Sequence, residues 1–216
     1  MNTETMTVHR ALAELKTLDA RISDKIDDTT FCVANRNSNK KINGVNVDKA
    51  AEQMKSDYQS ITNLIRRRDA MKRAVVLSNA KTEVEIGRRT YTVAEAIEMK
   101  NHGIENKKYL LTAMKRQYGQ AKAEVNKRNG DELDRKTEAF LESMYGSKDK
   151  VQNEDMERAR KEYVDNNTYA LVDPIQAKKT IDTLAEEIAT FTAEVDAALS
   201  VSNSITNVEF SYELAG

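Results

Sequence analysis

Apolar residues recur at helical spacing over four long stretches of the chain. Steps of three and four residues place apolar side chains on one face, so each stretch predicts a helix that packs through one seam. The predicted helices cover about residues 7–27, 48–79, 92–128 and 173–202. Two starts carry strong local signals, because Thr92 to Glu95 form a capping box and Asp173-Pro174 supplies an N-cap with proline at the first helical position.

The second predicted helix has two alternative seams. One seam contains Met54, Tyr58, Ile61 and Ile65 and continues into charged positions. The other drifts to Leu64 and Met71, because helical periods wander, and it leaves Arg66, Arg67 and Arg68 in water. In the first case the three arginines lie at an interface where guanidinium groups bind carboxylate or phosphate.

Short alternating stretches after two of the helices predict a small amount of β structure. The stretch Ser78 to Ile86 is repeated as Ser202 to Phe210, so two long helices end alike, in Asn and Thr followed by a strand. Strands at 82–86 and 90–92 flank Gly87-Arg88 and predict a β-hairpin. The predicted β element is this hairpin, or a three-stranded sheet in which the repeat at 206–212 is added to it.

Few chain breakers interrupt the helical pattern. One Pro, 7 Gly and 32% charged residues in a chain of 216 residues favour long helices over a sheet-rich fold. We predict a mainly α fold, an elongated long-helix bundle or coiled coil with the β element at the helix ends. Residues 1–130 and 171–216 form the predicted core, and the charge-dense residues 131–170 form an inserted helical hairpin. Helices of this length bury their seams against partners, which predicts a homo-oligomer.

The sequence offers little catalytic chemistry. The histidines His9 and His102 and the single cysteine, Cys32, have no metal-ligand spacing, so we expect neither a metal site nor an internal disulfide. It contains no phosphate-cradling Gly-rich loop, G-x-S-x-G elbow or Asp-rich calcium loop. No apolar run is long enough to span a membrane, and the first residues lack a signal-peptide core. We predict a cytoplasmic protein that is not an enzyme and needs no cofactor or membrane.

Charge is distributed unevenly although the formal net charge is -1. Basic residues outnumber acidic ones between 61 and 130, whereas every charged residue after Lys179 is acidic. The basic region includes the predicted start of the third helix, and helix N-termini and arginine clusters both attract anions. We therefore predict an anion site that combines these cations with a tyrosine for stacking. Its candidate residues are Arg66, Arg67, Arg68, Arg88, Arg89, Tyr91, Lys100 and Lys107.

Two of these candidates, Lys100 and Lys107, occupy seam positions of the third helix. Charged seam positions commonly specify helix register or partner choice, and a buried anion site is the alternative. Duplex nucleic acid is disfavoured as a ligand, because the chain is not basic overall and its acidic last helix would repel a phosphate backbone.

Scattered short motifs resemble those of one protein family. They are Arg21-Ile22, Leu64-Ile65-Arg66, Asn79-x-x-Thr82, Thr92-x-Ala94-Glu95-Ala96, and Glu194-Val195-Asp196 with Ser202-Asn203 and Thr206. On these residues the chain resembles the septicolysin-like helical proteins, and similar proteins are frequent in phage genomes. The resemblance covers most of the chain except 131–170. It implies an elongated helical fold and an intracellular, phage-encoded protein, and it carries over no catalytic residues.

Two functions from different classes fit these features. The first is a non-enzymatic oligomeric protein that holds a small anionic, nucleotide-like ligand between subunits and, in a phage, sequesters a host defence signal. The second is a structural or virion-associated interaction protein without a small-molecule ligand, in which the seam charges pair with the acidic last helix of a neighbour.

Overall fold

The computed structural model describes residues 1–146 and 153–214, and these are mostly helical. The elements in chain order are β1 Asn2–Thr7, α1 Val8–Asp27, β2 Lys41–Ile42, β3 Val45–Asn46, α2 Val47–Asn79, β4 Glu83–Ile86, β5 Arg89–Thr92, α3 Val93–Glu98, a π-helical turn Met99–Gly103, α4 Ile104–Asn129, α5 Asp131–Tyr145, α6 Asn153–Asn167, α7 Ala177–Ile205 and β6 Asn207–Tyr212. The predicted mainly α fold with a small β element is confirmed.

The strands of the described residues form three separate two-stranded antiparallel sheets, β1-β6, β2-β3 and β4-β5. The β4-β5 pair is the predicted hairpin around Gly87. The predicted alternative of a three-stranded sheet is wrong, because β6 pairs with β1, with Asn2 opposite Tyr212 and Thr7 opposite Asn207. The sequence analysis missed β1, because only Met6 in that strand is a buried apolar residue and the alternation is too short to stand out.

The chain divides into two compact units. Unit 1 comprises Met1–His102 and Thr190–Gly216, and unit 2 comprises Gly103–Ala189. Unit 2 contains α5 and α6, the two helices of the stretch 131–170, while residues 147–152 of that stretch lie outside the described residues. The two helices pack through the stacked rings of Phe140 and Tyr163, whose centroids are 4.4 Å apart, and through an ion pair between Arg160 and Glu138.

Unit 1 contains two halves with the same order and pairing of elements. In one half α2 leads into β4, which pairs with β5, and β5 leads into α3. In the other half α7 leads into β6, which pairs with β1, and β1 leads into α1. In both halves a backbone hydrogen bond joins the start of the second helix to the residue before the first strand. The amide of Val93 donates to the carbonyl of Thr82 at 2.8 Å, and the amide of Val8 donates to the carbonyl of Thr206 at 2.9 Å. The sequence repeat at Ser78 and Ser202 is therefore one part of a larger duplication.

The other part of the duplication is also written in the sequence, at Thr7 to Ala11 and Thr92 to Ala96, which share the pattern Thr-Val-x-x-Ala. Each threonine caps its helix by accepting a hydrogen bond from the amide three residues later. The following valines are each 2% exposed and the alanines are fully buried. These contacts explain why the same residue types recur at Thr7 to Ala11 and at Thr92 to Ala96.

The core around β1 and β6 decides between the two seams of α2. Met71 and Val75 are buried there and Leu64 packs against them, whereas Tyr58 and Ile65 are exposed. The seam through Tyr58 and Ile65 is wrong, although its member Ile61 is buried. The drift to Leu64 and Met71 is confirmed, because β6 packs on the face of α2 that carries those residues. The expectation that this drift leaves all three arginines in water is wrong for Arg67, whose side chain is 19% exposed and paired with Glu4. The core cluster consists of Met6, Val8, Ala11, Leu15, Leu18, Met71, Val75, Val208 and Phe210.

The third predicted helix is helical from Val93 to Asn129 but contains a π-helical turn at Met99–Gly103. This turn coincides with His102-Gly103, where helix propensity is low. The last helix begins at Ala177, later than Asp173-Pro174 predicts, because Gln176 adopts a φ of 51° that a right-handed helix cannot include. The carboxylate of Asp173 still accepts a hydrogen bond from the Ala177 amide at 2.8 Å.

The seam predicted for the last helix is confirmed. Its buried residues are Ile181, Ile188, Phe191, Val195 and Ser202. Asn43 and Gly44, a residue pair that favours a tight turn, join β2 to β3 with positive φ angles of 46° and 85° that suit a two-residue hairpin loop. Within the described part of the chain, no helix is both long and apolar enough to cross a membrane.

Candidate functional site

The structure distributes the eight candidate residues among different contact networks. Arg66, Arg67 and Arg68 lie on α2, and the residues Arg88, Arg89 and Tyr91 belong to the β4-β5 hairpin. Lys100 lies in the π-helical turn of unit 1, whereas Lys107 lies on α4 in unit 2. The α2 arginines and the hairpin turn have different known partners, since Arg66, Arg67 and Arg68 contact Glu213, Glu4 with Glu14, and Asp19 with Asp69, whereas the hairpin turn contacts Glu194 of α7.

Arg67 lies at the centre of a cluster of charged side chains. Its Nε and Nη2 atoms donate to the two carboxylate oxygens of Glu4 at 2.7 and 2.6 Å, and Nη2 also lies 3.2 Å from Oε1 of Glu14. The hydroxyl of Tyr212 donates to Glu4 at 2.8 Å. One guanidinium therefore joins α2 to β1, α1 and β6 through a forked, charge-assisted contact.

The electrostatics of this Arg67 cluster disfavour an added anion. Hydrogen bonds from Arg67 lower the pKa of Glu4, and burial together with the Glu4 carboxylate raises the pKa of Tyr212. One arginine thus faces two carboxylates, and Oε2 of Glu14 is buried without a hydrogen-bond partner. Because the cluster already carries an excess of negative charge, a phosphate would have to displace Glu4 to bind Arg67.

The two neighbouring arginines make looser contacts. Arg68 donates to Asp19 at 2.8 Å and to Asp69 at 3.2 Å, and these carboxylates are more than half exposed. Arg66 is exposed and reaches only the backbone carbonyl of Glu213, at 3.5 Å. The arginine triplet therefore splits into one half-buried structural cation and two surface cations.

The β4-β5 hairpin is anchored to α7 through its turn. The amide of Gly87 donates to the carboxylate of Glu194 at 2.6 Å, and the φ of Gly87 is +63°. Tyr91 is half-buried and its ring meets Phe191 edge-on, with centroids 5.7 Å apart. Tyr91 therefore contributes to packing, whereas Arg88 on the turn is exposed and has no ion pair within the described residues.

The helix start that was expected to attract an anion already holds a carboxylate. The backbone amide and the hydroxyl of Thr92 donate to Oε2 of Glu95 at 2.7 and 2.9 Å, and the Glu95 amide donates to the Thr92 hydroxyl at 3.2 Å. The backbone hydrogen bond from Thr92 is the main reason why the pKa of Glu95 is lowered. The capping box predicted from the sequence is confirmed, and it occupies the position where a ligand phosphate would bind.

The two seam lysines pair with acidic residues of α7. Nζ of Lys100 lies 2.5 Å from Asp196 within unit 1, and Nζ of Lys107 lies 3.3 Å from Glu187 within unit 2. The Lys107 pair is the more buried of the two. This pairing is what a register-setting role for charged seam positions predicts.

A polar groove beside the Arg67 cluster escaped the sequence analysis. It has a volume of about 420 Å³ and runs between α2 and the chain after β6. Half of its eight described lining residues are hydroxyl and amide side chains of α2, namely Ser56, Gln59, Ser60 and Asn63, and the others are Leu64, Arg67, Tyr212 and Leu214. The spacing of the four polar residues at 56, 59, 60 and 63 marks one helix face and was visible in the sequence. No sequence pattern indicated that Tyr212 and Leu214 close the groove.

The described residues contain no group of three His, Cys, Asp or Glu side chains that could hold a metal ion. Comparison with known proteins gives no family assignment. No protein-family model, no curated protein and no solved structure matches the chain. The resemblance to septicolysin-like helical proteins and the phage origin stay predictions, and function has to be argued from the contacts of the chain itself.

Proposed function

We propose that this chain is a self-associating helical interaction protein, the second of the two functions considered from the sequence. The observation that carries the proposal is the set of large apolar side chains that three long helices expose.

The exposed surface includes large apolar side chains on three long helices. Those exposed by more than half of their area on these helices are Tyr58, Val76 and Leu77 on α2, Tyr109 and Leu110 on α4, and Val201 and Ile205 on α7. Single exposed apolar residues are ordinary, but several on one face mark a contact surface. Arg67, Lys100 and Lys107 pair with carboxylates of their own chain, which leaves less positive charge for an anionic ligand. The seam lysines therefore do not need the last helix of a neighbour, and the proposed self-association uses the exposed apolar side chains.

A nucleotide-like ligand is the second candidate, and the polar groove beside the Arg67 cluster is the observation that favours it. Hydroxyl and amide groups on α2 suit the hydrogen-bonding edges of a base. Two cations near the groove have no carboxylate partner among the described contacts, namely Lys25, whose Nζ donates to Ser60 at 2.7 Å, and Arg66, which is adjacent to Arg67 in the sequence. Both candidates are non-enzymatic, need no cofactor and act in the cytoplasm, which is the host cytoplasm for a phage-encoded chain.

Native mass spectrometry of the full chain purified from cells, with sedimentation velocity at micromolar concentration, tests the proposal. We expect a homo-oligomer without a retained small molecule. Isothermal titration with cyclic dinucleotides and ADP-ribose derivatives should then release no binding heat. A monomer at every concentration would overturn the proposal, and binding of one of these nucleotides, with heat lost in an Arg66→Glu variant, would establish the second candidate instead.

A further inference from the structure

An apolar groove lies within unit 1 between β4 and the C-terminal half of α7. It has a volume of about 520 Å³, and we refer to it as the α7 groove. Its helical wall carries Ala193, Ala197, Val201 and Ile205, which recur every four residues and so share one helix face. Val201 is 60% exposed and Ile205 is 73% exposed, so the groove is open to solvent along this wall.

The duplication inside unit 1 shows that the fold does not need these aliphatic residues. Helices α2 and α7 occupy equivalent places in the two halves, in the register that aligns Ser78 with Ser202. The positions that correspond to the four groove residues are Asp69, Arg73 and Leu77 of α2 and Lys81 in the turn after it. Three of these four are charged, so the other half does not share the run of four aliphatic residues. The apolar wall of the α7 groove is therefore a feature of this half alone and indicates a surface for a partner.

The rim of the α7 groove is acidic. Glu83 and Glu85 line it from β4, both are exposed, and neither forms an ion pair within the described residues. Glu194, on the helical side, is bound to the amide of Gly87. A partner that fits this surface combines aliphatic side chains for the floor with cations for the two unpaired carboxylates, because interfaces join complementary charges at the rim with apolar contacts at the centre.

The C-terminal part of α2 presents this combination. Val76 is 53% exposed and Leu77 is 51% exposed, and Lys72 and Arg73 precede them by one helical turn on the same face. Both cations are exposed and have no ion pair among the residues described. We name Lys72, Arg73, Val76 and Leu77 the α2 face.

We propose that the α7 groove binds the α2 face of a second copy of this chain. Both surfaces belong to the same chain and differ in charge, so the contact joins unlike surfaces of two copies. Two α7 grooves facing each other would instead bring their acidic rims together, which costs binding energy. The inference rests on the proposed self-association and specifies the residues that carry it.

The first experiment introduces charge on the floor of the α7 groove. A Val201→Glu, Ile205→Glu double variant is compared with Val172→Glu, a control at a residue that is 91% exposed and belongs to neither surface. Sedimentation velocity of the full chain should show association of the wild type and the control with similar dissociation constants, and a rise of at least about tenfold in the double variant. Far-UV circular dichroism establishes that each variant is folded, as expected for exposed positions.

The second experiment exchanges the charges. Glu83→Lys with Glu85→Lys, and separately Lys72→Glu with Arg73→Glu, should each weaken association by about tenfold, because like charges then face each other. The chain that carries all four substitutions should associate within about threefold of the wild type, because the charges are complementary again.

The outcomes separate this inference from the proposed function. If the Val201→Glu, Ile205→Glu double variant associates as strongly as the wild type, the α7 groove is not the interface, although self-association itself stands. A four-substitution chain that stays dissociated overturns the α2 face as its occupant. A wild-type chain that is monomeric throughout overturns the proposed function itself.

Discussion

Replacing Arg67 by methionine is expected to destabilise the fold considerably more than replacing its neighbour Arg68. Methionine keeps an apolar stem in place but leaves Glu4 and Glu14 without the cation that they share. Loss of one partner from a buried ion pair costs roughly 3–5 kcal/mol. Glu4 and Glu14 keep 28% and 31% of their side-chain area exposed, so we expect a loss of about 2 kcal/mol at pH 7.

Arg68→Met is the matched control, because Arg68 is the next residue on the same helix and also pairs with carboxylates. Those carboxylates are 55% and 63% exposed. Exposed ion pairs contribute little, so the control should lose only about 0.5 kcal/mol. The difference between the two variants isolates the contribution of burial.

The effect of Arg67→Met should depend on pH in a defined direction. The hydrogen bonds from Arg67 lower the pKa of Glu4 from its ordinary 4.5. A lowered folded-state pKa means that the stabilisation is fully present above the unfolded-state pKa and is lost as pH falls through the folded-state value. The variant lacks this stabilisation, so the difference in stability between wild type and variant should be largest at neutral pH and shrink below about pH 4.

Urea unfolding followed by far-UV circular dichroism, at pH 7 and pH 3.5 and at one protein concentration, measures these differences. The reasoning would be refuted if the two variants were equally stable at pH 7. It would also be refuted if the gap between wild type and Arg67→Met stayed constant or widened at pH 3.5.

Four further substitutions test local features of the fold. Gly87→Ala should destabilise by about 2 kcal/mol, because φ is +63° and the new Cβ would lie 2.9 Å from Cγ2 of Thr190. Gly44→Ala, with φ +85° but no atom within 4 Å, should lose less, and urea unfolding of both variants would contradict the steric argument if the losses were equal. Met71→Ala should cost about 3 kcal/mol, because the side chain is fully buried; a loss under about 1 kcal/mol in the same assay would count against a packed core there. Thr92→Val removes the cap of α3 and should cost about 1 kcal/mol, with faster hydrogen exchange of the first α3 amides as the direct readout.

The candidate site shows where inference from the sequence ended. The capping box at Thr92 and Glu95 was predictable, because both partners lie within four residues and their hydrogen bonds are local. The contact between Arg67 and Glu4 was not, because the two residues are far apart in sequence and neither belongs to a recognisable motif. The same limit applies to Lys100, whose position on a helix seam was visible but whose partner, Asp196, was not.

By itself, the sequence determined the long helices, the hairpin around Gly87 and the turn at Asn43-Gly44, because periodicity, capping and positive φ angles act over a few neighbouring residues. Only the tertiary structure decided that β6 pairs with β1, that Met71 lies in the core while Ile65 is exposed, and that Arg67 is held by carboxylates. These choices depend on which surfaces meet after the two ends of the chain come together. No local sequence pattern specifies these long-range contacts, because their free energy depends on residues that are separated by most of the chain.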